Sequence, residues 1–145
     1  MTQAVPVHDS RASAPPQTYP PRSAIFGWVL FDWAAQPYFT LITTFVFAPY
    51  FASRVASDPV TGQASWGYAT AAAGLVIAVL SPVLGAIADA GGRRKPWIAV
   101  FGALLVIGSS LMWIGKPGDP SIIVPLLIAY AIATIGVEFA TVFNN

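Results

Sequence analysis

An all-α membrane protein with four transmembrane helices is the fold class that three features of this sequence predict. Charged residues make up 9% of the chain and apolar residues 56%, where soluble domains carry about 25% and roughly 45–50%. Residues 59–88 hold no charged side chain, and neither do residues 96–115. Between them lies GAIADAGGRRK, Gly85 to Lys95, the kind of tight basic turn that a cytoplasmic membrane hairpin needs. Its glycines let the chain reverse, and its cations hold the loop on the cytoplasmic side.

The same composition excludes several functions. A net charge of +1 gives no broad electrostatic surface for nucleic acid. The chain has no cysteine, so disulfides and thiolate metal sites are ruled out. Its one histidine, His8, lies in the N-terminal tail, far from the convergent ligands that a metal site requires. No H-E-x-x-H pattern or nucleotide-binding loop is present, and the spans contain neither His nor Cys. The reading is therefore non-enzymatic, with no metal and no cofactor.

Residues 1–23 are proline-rich and polar and read as a disordered tail. No apolar run precedes Ala24, so they do not form a signal peptide. From 24 to 145 the chain reads as a four-helix transmembrane region. A span of about 20 helical residues crosses a ~30 Å hydrocarbon core, and four segments qualify: Ala24–Ala52, Trp66–Ala88, Trp97–Ile114 and Ile122–Phe143. The first would be ~43 Å long as an α-helix, so it should tilt, kink or project. Pro37 and Pro49 are its kink sites, and Pro82 could bend the second span. Trp28, Trp66, Trp97 and Trp113 fall near span ends, where indole rings favour the headgroup region.

Cations set the direction. Arg11, Arg22, Arg93, Arg94 and Lys95 lie on one side, against Arg54 and Lys116 on the other. By the positive-inside rule the N-terminus and the Gly85–Lys95 hairpin are cytoplasmic. The opposing helix-dipole effect is about 0.3–1 kcal/mol, too small to reverse this.

Two acids fall inside spans, and each costs roughly 2.5–3.5 kcal/mol at a helix centre, so each calls for a reason. At 100° per residue Asp32, Gln36, Thr40 and Thr43 occupy an arc of ~80° on the first span. Tyr130, Thr134, Glu138 and Thr141 occupy a similar ~80° arc on the fourth. A polar stripe belongs against protein or a water-filled cavity. If the two stripes face each other, burial and like charge would raise both carboxyl pKa values and favour a shared proton. Asp32, Gln36, Thr40, Thr43, Tyr130, Thr134 and Glu138 are thus the candidate residues for substrate binding or proton coupling. The bland alternative is that they only knit helices together, at about 0.6 kcal/mol per hydrogen bond. Small-x-x-x-small pairs (Ala69/Ala73, Gly74/Ala78, Ala129/Ala133, Gly136/Ala140) mark expected close helix contacts.

The hairpin spacing G-x-x-x-D-x-x-G-R-R-K, carried by Gly85, Asp89, Gly92, Arg93, Arg94 and Lys95, resembles the loop 2–3 signature of the major facilitator superfamily of secondary transporters. Ala90 stands where that signature often has a basic residue, and Ile87 where it has Leu. The first span is similar to the opening helix of the superfamily's vacuole-effluxer-like branch, through Asp32-Trp33-Ala34, Tyr38, the stretch from Thr40 to Thr44, and Phe47-Ala-Pro-Tyr50-Phe51. The resemblance covers residues 24–145 and implies the start of an N-terminal six-helix half, built from inverted three-helix repeats. It also implies a cavity lined by the first and fourth helices and a cytoplasmic latch at the hairpin, where Asp89 needs a positive partner because it sits at a helix C-terminus.

The leading expectation is therefore the N-terminal part of a secondary transporter. It would move a small solute, amino acids by the resemblance, with proton coupling, by alternating access in a bacterial inner membrane. Its partners would be the bilayer, the solute and the transporter's remaining helices. The alternative is a complete four-helix structural or accessory subunit that assembles with a partner.

Overall fold

The computed structural model describes residues 19–92 and 94–144, and these form an all-α membrane protein. The tail up to residue 18, with His8 and Arg11, lies outside the described residues, as does Arg93. Helix α1 runs Arg22–Pro37 and begins directly after Pro21, whose extended backbone (φ −60°, ψ 148°) keeps the preceding chain out of the helix. A widened, π-helical stretch follows over Tyr38–Phe45, then the short helix α2 at Phe47–Tyr50 and a second widened turn at Phe51–Val55. Helix α3 spans Pro59–Gly91 and α4 spans Lys95–Leu111, the latter prolonged by a 3₁₀ turn at Met112–Ile114. A 3₁₀ turn at Pro120–Ile122 leads into α5, Ile123–Asn144.

Among the described residues three helical segments are long and apolar enough to cross a membrane: Pro59–Gly91, Lys95–Ile114 and Pro120–Asn144. The first predicted span is apolar but interrupted. Pro37 has no N–H to give to the carbonyl four residues back, and Pro49 places its ring against the carbonyl of Phe45. The regular winding changes just after Pro37, and the chain breaks at Val46 (φ −116°, ψ −61°), next to that carbonyl. Thr44 Oγ1 donates to Phe39 O at 3.0 Å, and Thr43 Oγ1 donates to the same carbonyl, which helps satisfy the loosened backbone. Pro82 behaves differently, because α3 continues through it as one helix.

Helix ends follow local chemistry. Asp58 caps α3, its carboxylate accepting from the N–H groups of Val60 (3.0 Å) and Thr61 (2.9 Å), with Pro59 at the first helical position. Hydrogen bonding by Thr61, through its side chain and then its N–H, holds the Asp58 carboxyl below the usual carboxylate range. Asp119 plays the same part before Pro120, and hydrogen bonds from Ser121 likewise depress its carboxyl. At the other end of α3 Gly92 takes φ +59°, the left-handed conformation that reverses the chain at little cost only for glycine.

Helix α5 is the centre of the packing, with α4 on one side and α3 on another. The α4–α5 contact is backbone to backbone. A Cβ on Gly108 would lie 2.6 Å from Ala133 N, and one on Gly136 would lie 2.5 Å from Leu105 N. The Ala129/Ala133 and Gly136/Ala140 pairs are therefore used as expected. On α3 Ala73 is buried, whereas Gly74 and Ala78 are exposed and a Cβ on Gly74 would meet nothing within 4 Å. Trp66 corrects an expectation too. Because α3 starts at Pro59, a turn and more earlier than hydropathy suggests, Trp66 is not at a span end but buried. Its ring stacks on Tyr130 with centroids 3.9 Å apart.

Candidate functional site

The first span meets α5 along Phe31, Ala35, Tyr38 and Ile42. These residues recur at helical spacing, so they form one face. Asp32 and Gln36 are each one residue further on, which turns them roughly 100° away from that contact. Asp32, Gln36 and Thr40 are exposed, and Thr43 is half-buried. On α5 the stripe is placed differently: Tyr130 and Thr134 are buried, and Glu138 and Thr141 half-buried. The two stripes thus do not close directly on each other. Tyr38, a residue that the stripe pattern does not single out, fills the space between them.

Tyr38 joins the helices by hydrogen bonds. Its hydroxyl lies 2.8 Å from Thr134 Oγ1 and donates to Tyr130 O at 3.3 Å. Thr134 Oγ1 is also 2.9 Å from Tyr130 O, and the Tyr130 hydroxyl is 3.0 Å from Thr70 Oγ1 on α3. Hydrogen bonds therefore tie α5 to the first span at the Tyr130 carbonyl and Thr134, and to α3 at the Tyr130 hydroxyl. Among the described residues no buried side-chain nitrogen or oxygen is left without a partner, as an apolar surrounding demands.

Around the exposed stripe, Trp33, Gln36, Pro37, Thr40 and Leu41 line an open hollow of about 310 Å³. Asp32 lies at its edge in sequence and takes part in no ion pair among the described residues, where the pair observed is Arg94–Asp89. A larger cleft, about 860 Å³, is elsewhere. It lies between the first span and the end of α4, against Phe47, Tyr50, Met112 and Trp113, and is mostly apolar. Among the described residues no cluster of His, Cys, Asp or Glu is arranged to hold a metal.

At the hairpin, Arg94 Nη2 lies 3.0 Å from Asp89 Oδ1, both side chains being exposed. Asp89 thus has a positive partner within its own loop, a pairing worth about 0–1 kcal/mol at such exposure. Gly85 stands one helical turn before Asp89 with nothing within 4 Å of a Cβ, and Gly92 makes the reversal. Lys95 begins α4.

No protein-family profile matches the chain, and no solved structure matches it significantly. It is 34% identical over 121 residues to the "Uncharacterized MFS-type transporter YxiO" of Bacillus subtilis (strain 168). This similarity supports membership of the major facilitator superfamily. The match takes in 81% of this chain but only 28% of that relative, so the chain spans little more than a quarter of the superfamily protein's length.

Proposed function

We propose that this chain acts as the N-terminal part of a secondary transporter that moves a small solute by alternating access. The observation that carries the reading is the 34% identity to an MFS-type transporter across most of the chain. Three long apolar helices and an interrupted apolar first span are consistent with it. The finer reading is the vacuole-effluxer-like branch, with amino acids as the solute class, and it rests on the Asp32-Trp33-Ala34 segment and the aromatic ending of the first span.

Asp32, Gln36 and Thr40 would form part of a wall of the transport path, because an acid on an exposed face of a membrane helix needs protein or water beside it. Thr43 is half-buried at the end of that wall. Glu138, with Tyr130 and Thr134 on α5, would line the inner side. Proton coupling at Asp32 or Glu138 suits two acids in otherwise cation-free spans. The hairpin residues Gly85, Asp89, Gly92, Arg93, Arg94 and Lys95 would form a cytoplasmic latch against helices beyond this chain.

Uptake tests the proposal. The natural full-length protein, reconstituted in liposomes with an acid-outside proton gradient, should accumulate a labelled amino acid from a mixed panel. It should lose that accumulation when an ionophore collapses the gradient. Equal uptake with and without the gradient would remove proton coupling, and no uptake across the panel would remove the amino-acid assignment. Orientation, with the N-terminus and hairpin cytoplasmic, follows from the cation asymmetry. An impermeant thiol reagent applied to intact cells should spare Gly91→Cys and modify Gln63→Cys, and the reverse pattern would overturn it.

A further inference from the structure

The first span is attached to the rest of the molecule unevenly. Beyond Val46 it is held firmly: Phe51 and Val55 are buried against Trp66, Met112 and Leu126. The Tyr50 hydroxyl there donates to Gly115 O at 2.8 Å. Before Pro37 the opposite holds. Arg22–Pro37 is exposed apart from buried Ala35 and half-buried Phe31. The change falls at the widened stretch Tyr38–Phe45, which has Pro37 before it and the break at Val46 after it. Widened π turns inside helices mark places where the backbone ladder is weakest, and they are found at functional sites. Within this stretch one side chain makes polar contact with another helix, and that is Tyr38, through Thr134 and the Tyr130 carbonyl.

We propose that Tyr38–Phe45 is the hinge of the first span, and that the Tyr38–Thr134 hydrogen bond is the latch that fixes its angle. When the latch is made, Arg22–Pro37 lies along α5 through Phe31 and Ala35. When it opens, the same rod swings about the widened turns and carries Asp32 and Gln36 with it. The part beyond Val46 stays clamped to α3 and α5. α1 is about 24 Å long at 1.5 Å per residue, so a swing of about 10° moves its free end by about 4 Å. The inference rests on the transporter reading for its purpose, because a moving wall is useful only if Asp32 and Gln36 line a path. Its geometry does not depend on that reading.

The chain contains no cysteine, which makes paired spin labels clean reporters. In the natural full-length protein, its own cysteines replaced where the rest of the gene supplies any, Ser23→Cys and Ala90→Cys report the rod before the hinge. Ser53→Cys and Lys116→Cys report the clamped part. Tyr38→Phe removes one hydroxyl and keeps the ring. It should shift or broaden the Ser23–Ala90 distance distribution by about 4 Å, the swing estimated above, and leave the Ser53–Lys116 distribution unchanged. Thr134→Val should do the same, the double substitution no more than either alone, and Thr134→Ser should restore the parent distribution. An unchanged Ser23–Ala90 distribution in both Tyr38→Phe and Thr134→Val would overturn the latch. Equal broadening at both label pairs would overturn the hinge, because it would mean general loosening. The distances are read without any solute, so a failed uptake assay leaves this result standing, and a failed distance test leaves the transport reading standing.

Discussion

The first span and the α3–α5 group are both largely apolar in sequence, yet they are built in opposite ways. Helices α4 and α5 touch through Gly108 and Gly136, where even a methyl group would collide with backbone atoms. Phe101, Phe139 and Phe143 stack alongside, and α3 adds the Trp66–Tyr130 pair. Before Pro37 the first span touches α5 through Phe31 and Ala35 only, and a Cβ on Gly27 would meet nothing within 4 Å. Apolar composition decides that a segment enters the membrane. Close approach of small residues decides how rigidly it is then held.

The sharpest way to break that contrast is to place the same methyl group in each region. Gly136→Ala puts a Cβ 2.5 Å from Leu105 N, and overpacking against a backbone atom that cannot rotate away should cost about 3 kcal/mol. Gly27→Ala adds the same atom to open space and replaces a weak helix former, so it should leave stability within about 1 kcal/mol of the parent, on the stabilising side. Thermal unfolding in mild detergent measures both. Equal loss in the two variants would mean that the regions are not packed differently.

A smaller effect sharpens the boundary between them, where the clamped end of the first span turns into α3. Asp58 caps α3 there, and Asp58→Ala should lower the unfolding temperature at neutral pH. The carboxyl is depressed in the folded protein by Thr61 and Val60. Its contribution is therefore complete above the ordinary carboxylate range and fades as pH falls through the depressed value. Parent and variant should converge in acid and separate towards neutrality. A gap that widens in acid would contradict the capping role.

Much of this fold was legible in the sequence, for physical reasons that differ between elements. The hairpin at Gly92 was readable because glycine at a basic turn has few other uses, and the structure gives it φ +59°. The third and fourth spans fall within a few residues of their hydropathic limits. The start of α3 was displaced because Thr61, Gln63 and Ser65 are polar enough to hide seven helical residues, although Asp58-Pro59 was itself a capping signal. Pro37 and Pro49 marked the interruption of the first span, but the widened stretch Tyr38–Phe45 carries hydroxyls returning to Phe39 O, which spacing alone does not show. At the site, the stripe pattern found the buried Tyr130 and Thr134 on α5. It did not find Tyr38, because an aromatic at a packing position reads as core until its hydroxyl is seen beside Thr134. Arg93, part of the expected latch, lies outside the described residues.

The measurement that tests the account most directly is transport by Asp32→Asn in the full-length protein, followed across pH. Asn keeps the size and hydrogen-bonding capacity of Asp32 but cannot titrate. Asp32 lies on the exposed face of the loosely held rod, so its replacement should leave folding and expression near those of the parent. The account predicts that uptake, or its dependence on pH, is lost while the amount of protein in the membrane is unchanged. Uptake equal to the parent's at every pH would contradict it, and would leave Asp32 without a part in moving the solute or the proton.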